Sequence, residues 1–303
     1  MITHNHRAMA GLTATVALIA GVAAGLGVFA RGDGSYETVT SVRGVTYEMA
    51  TTGVYAFNAQ RLVAEGVGWD VFSLVVAAPV MLLAAVAVAG GSFRGRLFAV
   101  GMFAYFFYQY LEYAMTWAFG PLFPIFILAF AGSLAGMAWV GASVVQQGAA
   151  DRFAEGFPGK AFAVLSTLLS ALLVLMWSQR IATGLAGDVE GAGLYGETTM
   201  VVQALDLGLV VPTAVFIAVI AWQGTVLGRV LASAFVVMSI AMAAAIVAML
   251  LSAGLVVGTF ELPPIGIFAI YLMAMLALAL RMYRSPVSAT TPTEEEALGW
   301  QAR

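Results

Sequence analysis

Glu112 stands in an apolar run from Leu97 to Phe119, where the other strongly polar side chains are Tyr105, Tyr108, Gln109, Tyr110, Tyr113 and Thr116. A carboxylate at membrane depth costs several kcal/mol unless a partner, water or a proton compensates it, which suits it to proton coupling or to holding a solute. It could also act as a general acid or base, although no nucleophile or metal set accompanies it. Tyr105, Gln109, Glu112 and Thr116 follow at spacings of four, three and four, which puts them on one helical face. That face is expected to point into a helix bundle. Arg180, beside Ser178 and Gln179, is the basic residue placed to reach Glu112, and Gln203, Asp206 and Asp70 mark the outer ends of neighbouring apolar runs. Together these eight residues predict a ligand-binding polar pocket that opens outward. Each has a simpler reading: Asp70 and Asp206 as N-caps, Arg180 as an interfacial snorkel, Glu112 as a hydrogen bond between helices.

The elements that must position these residues are membrane helices. Hydrophobic residues make up 62% of the chain, charged ones only 10%, and mean hydropathy is +0.95, against about a quarter charged in soluble domains. Spanning the hydrocarbon layer takes roughly 20 apolar residues. Eight stretches qualify: 9–30, 71–91, 97–119, 124–146, 161–183, 205–224, 230–257 and 264–283. The expected fold is therefore an all-α integral membrane protein of about eight transmembrane helices.

Basic residues in short loops are retained in the cytoplasm. Arg7, Arg94, Arg96, Arg152, Lys160, Arg229, Arg281 and Arg284 fall on one side, against Arg31, Arg43, Arg61 and Arg180 on the other. Both termini are accordingly expected on the cytoplasmic side of the cell membrane. A cleaved signal over residues 1–30 is the competing reading, but Ala8 to Ala30 is long for the apolar core of a signal peptide. The outward segments are 31–70 and 184–204. Within the first, Val54 to Trp69 interleaves Tyr55, Arg61 and Glu65 with Phe57, Leu62 and Val63, and reads as a short amphipathic helix on the outer surface. The tail from Ser285 has three consecutive glutamates and no apolar pattern, and is expected to be disordered.

The cytoplasmic turns carry an internal echo. Gly91-Ser92, Gly95, Arg96 and Leu97 are matched by Gly224-Thr225, Gly228, Arg229 and Val230. Further pairs are Tyr55 and Tyr195, Gln60 and Gln203, Asp70 and Asp206, Pro79 and Pro212, and the prolines near 121–124 and 263–264. Four spans per copy is an even number, so the copies would be two parallel four-helix pseudo-repeats, 9–150 and 151–284, related by an axis along the membrane normal.

Absent residues exclude several chemistries. Without cysteine there are no disulfides, thiolate catalysis, iron–sulfur clusters or cysteine-ligated zinc. His4 and His6 both precede the first span, so a bis-histidine haem within the bundle is also excluded. No nucleotide-binding, metalloprotease or serine-hydrolase motif is present, and no cofactor or metal is expected. The turn from Gly91 to Leu97, Ala104 to Tyr110 (AYFFYQY), Pro121-Leu122-Phe123 and Gln203 to Pro212 (QALDLGLVVP) resemble a group of uncharacterised bacterial and archaeal integral membrane proteins, over about Tyr55 to Met282. That resemblance implies a polytopic membrane fold and carries no chemistry with it.

Three functional classes follow. A transporter or permease-like protein is favoured by the buried acid and paired halves; its partners would be the lipid bilayer and a small solute or proton, with no nucleic acid. A membrane sensor or accessory subunit binding a ligand or partner at the outer face is the alternative. A membrane-embedded enzyme using Glu112 as acid/base, with Arg180 on an anionic group, comes third.

Overall fold

A computed structural model of the chain describes residues 5–146, 153 and 156–284; the expectations for His4 and for the tail from Ser285 lie outside the described residues. The fold is mainly helical: α1 (His6–Phe29), α2 (Gln60–Ala89), α3 (Phe93–Thr116), α4 (Phe123–Gln146), α5 (Gly159–Leu185), α6 (Val201–Trp222), α7 (Val226–Val257) and α8 (Leu262–Arg284). Seven of these are long and apolar enough to cross a membrane. The exception is α3, which carries Arg94, Arg96, Glu112 and four tyrosines. A helix so polar cannot meet lipid on most of its surface, and α3 is correspondingly central, packed by α2, α4 and α7.

The helices run alternately up and down. Asn58 Oδ1 at the start of α2 accepts the Ala118 N–H after α3 (2.8 Å), and Arg61 pairs with Glu261 between α7 and α8. At the opposite face Phe98 of α3 meets Tyr283 of α8 (6.4 Å between rings), and His6 lies against Gly91. The helix ends nearest both termini thus share one face.

Local sequence explains the turns. Gly91 and Gly224 have φ of 75° and 71°, a region that suits glycine. Ser92 and Thr225 follow as N-caps, their hydroxyls accepting from the N–H of Gly95 (3.1 Å) and Gly228 (3.0 Å). Neither α2 nor α6 is uniformly α-helical. Each contains one π-helical stretch, Ser73–Ala77 and Asp206–Val210, just ahead of Pro79 and Pro212. A proline cannot donate to the carbonyl four residues back and its ring crowds that turn; the wider π turn relieves this.

Two expectations need correction. Residues 54–69 do not form a separate surface helix: α2 starts at Gln60 and continues straight into the span, with Val63, Ala64, Gly66, Val67, Gly68 and Trp69 buried. Gly66 and Gly68 make this possible, since the Trp117 ring and the α7 backbone at Ala248–Met249 occupy the space where their Cβ atoms would be. For the same reason Asp70 and Asp206 are not N-caps; both lie within helices. The shortened outer segment also contains an antiparallel hairpin, β1 (Tyr36–Thr40) and β2 (Thr46–Ala50), with Tyr36 opposite Ala50 and Thr40 opposite Thr46.

At the base of that hairpin Asp33 accepts from the Ser35 N–H (3.0 Å), the Ser35 hydroxyl and the Thr52 hydroxyl (2.7 Å). These hydrogen bonds, from Ser35 foremost, hold its exposed carboxyl down at about 2, below the ordinary 3.8. A depressed native pKa stabilises at pH above the unfolded value and is lost as pH falls through the native one. Protection of the Ser35 amide against exchange should therefore persist down to about pH 4 and fade towards pH 2. Asp33→Ala should show no such step, and an identical step in that variant would refute the assignment.

Candidate functional site

Between α2, α3, α5, α6, α7 and α8 lies a cavity of about 530 Å³. Its mouth is on the hairpin face, where Arg61, Glu65, Glu261, Arg180 and the segment 191–200 surround it. Its floor is reached at Ser166 and Phe235. Ser166 is only seven residues from the start of α5, roughly 10 Å of helix at 1.5 Å per residue. Directly beyond it, Phe162 packs edge-on against Phe235, ring centroids 6.1 Å apart.

Halfway down are two carboxylates. Asp206, in the π turn of α6, accepts from the Tyr108 hydroxyl (2.6 Å) and the Trp177 indole N–H (2.7 Å), which links α6 to α3 and α5. Glu112 follows Tyr108 by one turn on α3 and is 4% exposed. Among the described residues it belongs to no ion pair; the pairs there are Arg61 with Glu65 (3.0 Å) and Arg61 with Glu261. Glu65 and Asp206 each lie near enough to Glu112 for their charges to oppose one there.

The expected pairing of Glu112 with Arg180 is not formed. Arg180 donates through Nε to the Ala192 carbonyl (2.7 Å), and its guanidinium lies 5.8 Å over the Trp177 ring. The cause is local: Gly193, at φ 68°, folds its backbone onto the guanidinium where any Cβ would collide, and the neighbouring carbonyl takes the donor.

Of the residues singled out in the sequence, Glu112, Thr116, Arg180, Gln203 and Asp206 line the cavity, whereas Tyr105, Gln109 and Asp70 do not. Ser73 of α2 reaches Tyr105 (2.8 Å) and Gln109 Oε1 (2.9 Å), and the Trp69 indole donates to the Tyr105 hydroxyl (2.9 Å). Asp70 accepts from Tyr55 and from Tyr113 (3.3 Å) in a separate buried cluster, capped where Tyr55 stacks on Trp117 at 4.0 Å. The α3 residues that line the cavity are instead Tyr108, Glu112, Tyr113 and Thr116, of which Tyr108, Glu112 and Thr116 follow at i, i+4 and i+8. Sequence reading missed Trp177, Glu261 and Ser166. Arg61 and Glu65 were legible as an i, i+4 pair, but Glu261, 200 residues away, had no signal.

Several polar atoms in this wall are buried and have no hydrogen-bond partner among the described residues: Trp117 Nε1 and Ser166 Oγ among them. Buried donors left unpaired cost about 1–3 kcal/mol each, so the wall is built to meet something polar. Among the described residues no group of three histidine, aspartate or glutamate side chains could hold a metal ion. No protein-family model, curated protein or solved structure matches the chain.

Proposed function

We propose that this multi-pass protein is transporter-like: it resides in the cell membrane with both termini cytoplasmic, admits a small solute from the hairpin face to Glu112 and Asp206, and releases it at the other. The observation that carries this reading is the depth of the cavity, whose floor at Ser166 lies roughly 10 Å of helix from the opposite end of α5, with the Phe162–Phe235 contact beyond it.

Two further features support it. The π turn, the proline and the glycine turn of α2 recur in α6 at a constant displacement of 133 residues: Ser73 to Asp206, Pro79 to Pro212, Gly91 to Gly224. α1 packs on the second half of α2 as α5 does on that of α6, and α3 with α4 corresponds to α7 with α8. These correspondences support a reading as two parallel four-helix copies, with α3 counted as the eighth span. Interrupted helices beside a site between repeats are a common way for transporters to build their substrate site. The displacement aligns Asp206 with Ser73, and Asp70 with Gln203, rather than Asp70 with Asp206.

The closed floor itself favours a second reading, a membrane sensor that binds its ligand from the hairpin face and does not pass it on. Ser166→Cys separates the two. The chain has no other cysteine, and a thiol fits the place of an unpartnered hydroxyl. In sealed vesicles of known orientation, a membrane-impermeant cationic methanethiosulfonate should label Cys from either face if access alternates. Labelling from the hairpin face alone would overturn the carrier in favour of the sensor.

A further inference from the structure

Building on the reading of the cavity as a solute site, we propose that the solute is a lipophilic organic cation, a positively charged nitrogen or phosphorus centre carried on an apolar or aromatic body. The charge on the wall is the first reason. Five carboxylates line the cavity (Glu65, Glu112, Glu197, Asp206, Glu261) against two guanidinium groups, Arg61 and Arg180. Both guanidiniums are committed at the mouth: Arg61 to Glu65 and Glu261, Arg180 to the Ala192 carbonyl and the Trp177 ring. Below them Glu112 and Asp206 face the same space, and Arg61 and Arg180 are the only basic side chains among the described lining residues. An anion would be repelled by either acid once ionised, and with a neutral solute the two acids would have to bind protons to be compensated in a low-dielectric wall.

The second reason is the surface around those acids. Tyr108 and Trp177 donate to Asp206 and Trp69 lines the same cavity; indole and phenol faces attract cations by about 0.5–2 kcal/mol each, as Trp177 already does for Arg180. Met176, Met238, Met242 and Met249 supply soft, adaptable apolar walls. A hard inorganic cation is a poor fit, because calcium takes 6–8 oxygen ligands and the described residues offer no such cage. The cavity volume of about 530 Å³ is within the range of roughly 300–1,000 Å³ that accepts drug-sized ligands.

Tetraphenylphosphonium and tetraphenylborate have nearly one shape and opposite charge, and so isolate the sign. Titrated into protein in an uncharged detergent, the phosphonium should quench tryptophan fluorescence saturably, as Trp69, Trp117 and Trp177 line the cavity, and should raise the unfolding temperature. The borate should bind at least ten-fold more weakly. Asp206→Asn keeps the shape of the acceptor and removes its charge, and is expected to weaken phosphonium binding ten-fold or more. Glu112→Gln, at a residue in no ion pair, should do the same, and serves alone if the first variant fails to fold by size exclusion. Equal binding of the two probes, no saturable binding to wild type, or unchanged affinity in every folded variant would overturn the proposal. The accessibility of Ser166→Cys reads the carrier separately. Labelling from both faces without a preference for phosphonium removes the cation and keeps the carrier; phosphonium binding with labelling from one face does the reverse.

Discussion

Gly68→Val is expected to cost at least about 3 kcal/mol of stability or to prevent folding altogether, the largest effect of any single substitution argued from this structure. Gly68 is where α2 crosses α7, and a Cβ there would strike the Ala248 carbonyl and come within 2.8 Å of the Met249 Cα. Both obstacles are backbone, so neither can rotate away; the helices themselves would have to separate. Gly101 makes the equivalent approach between α3 and α7, against the Ala234 carbonyl and Val237. By contrast, Gly266 in α8 has nothing within 4 Å of its Cβ position, and Gly266→Ala should be neutral or slightly stabilising, since glycine is a weak helix former. Yield of monodisperse protein and its thermal unfolding in detergent measure both. A Gly68→Val protein as stable as the Gly266→Ala protein would mean that the α2–α7 crossing is not tight.

Asp70→Ala is expected to lose about 3 kcal/mol. Asp70 is fully buried, and it accepts from Tyr55 and Tyr113, which are themselves 2% and 1% exposed. Truncation removes an acceptor from both phenol hydroxyls. Tyr113 retains the Gly66 carbonyl (3.1 Å), but no other hydrogen bond of the Tyr55 hydroxyl is described. Asp70→Asn keeps one acceptor oxygen and should lose clearly less. Combining Asp70→Ala with Tyr55→Phe should cost less than the two single losses added together, because each removes the partner of the other. Strict additivity in that cycle would show that the two groups do not act as one unit.

Helix positions were largely legible in the sequence because twenty apolar residues in a row have few alternatives to a membrane helix. Every expected apolar stretch coincides with one of the helices, within a few residues except at the start of α2. That exception has a cause. Arg61 and Glu65 looked like a solvated face, but Glu261 and Gly66–Gly68 let the helix begin a full three turns earlier. The hairpin escaped because its strands are short and mostly polar, with no alternation strong enough to stand out. In the site, the acid on α3 was found, but the pairing expected for it with Arg180 does not form. A guanidinium chooses among acceptors that are fixed by loop geometry, and the Gly193 fold that offers Arg180 a carbonyl has no counterpart in hydropathy. The π turns could have been suspected from Pro79 and Pro212, but the regular displacement of 133 residues stands out only once both turns are seen.

The length of α7 links this architecture to its solvent. Its 32 residues make a rod of about 48 Å, whereas the hydrocarbon layer is about 30 Å thick. Such a rod must lean or protrude, and its angle follows the thickness of the surrounding bilayer. Since α7 forms one wall of the cavity from Phe235 to Leu250, a change of lipid chain length is expected to shift that wall without any ligand. Membrane thickness would then act on the cavity through the lipids rather than through the protein.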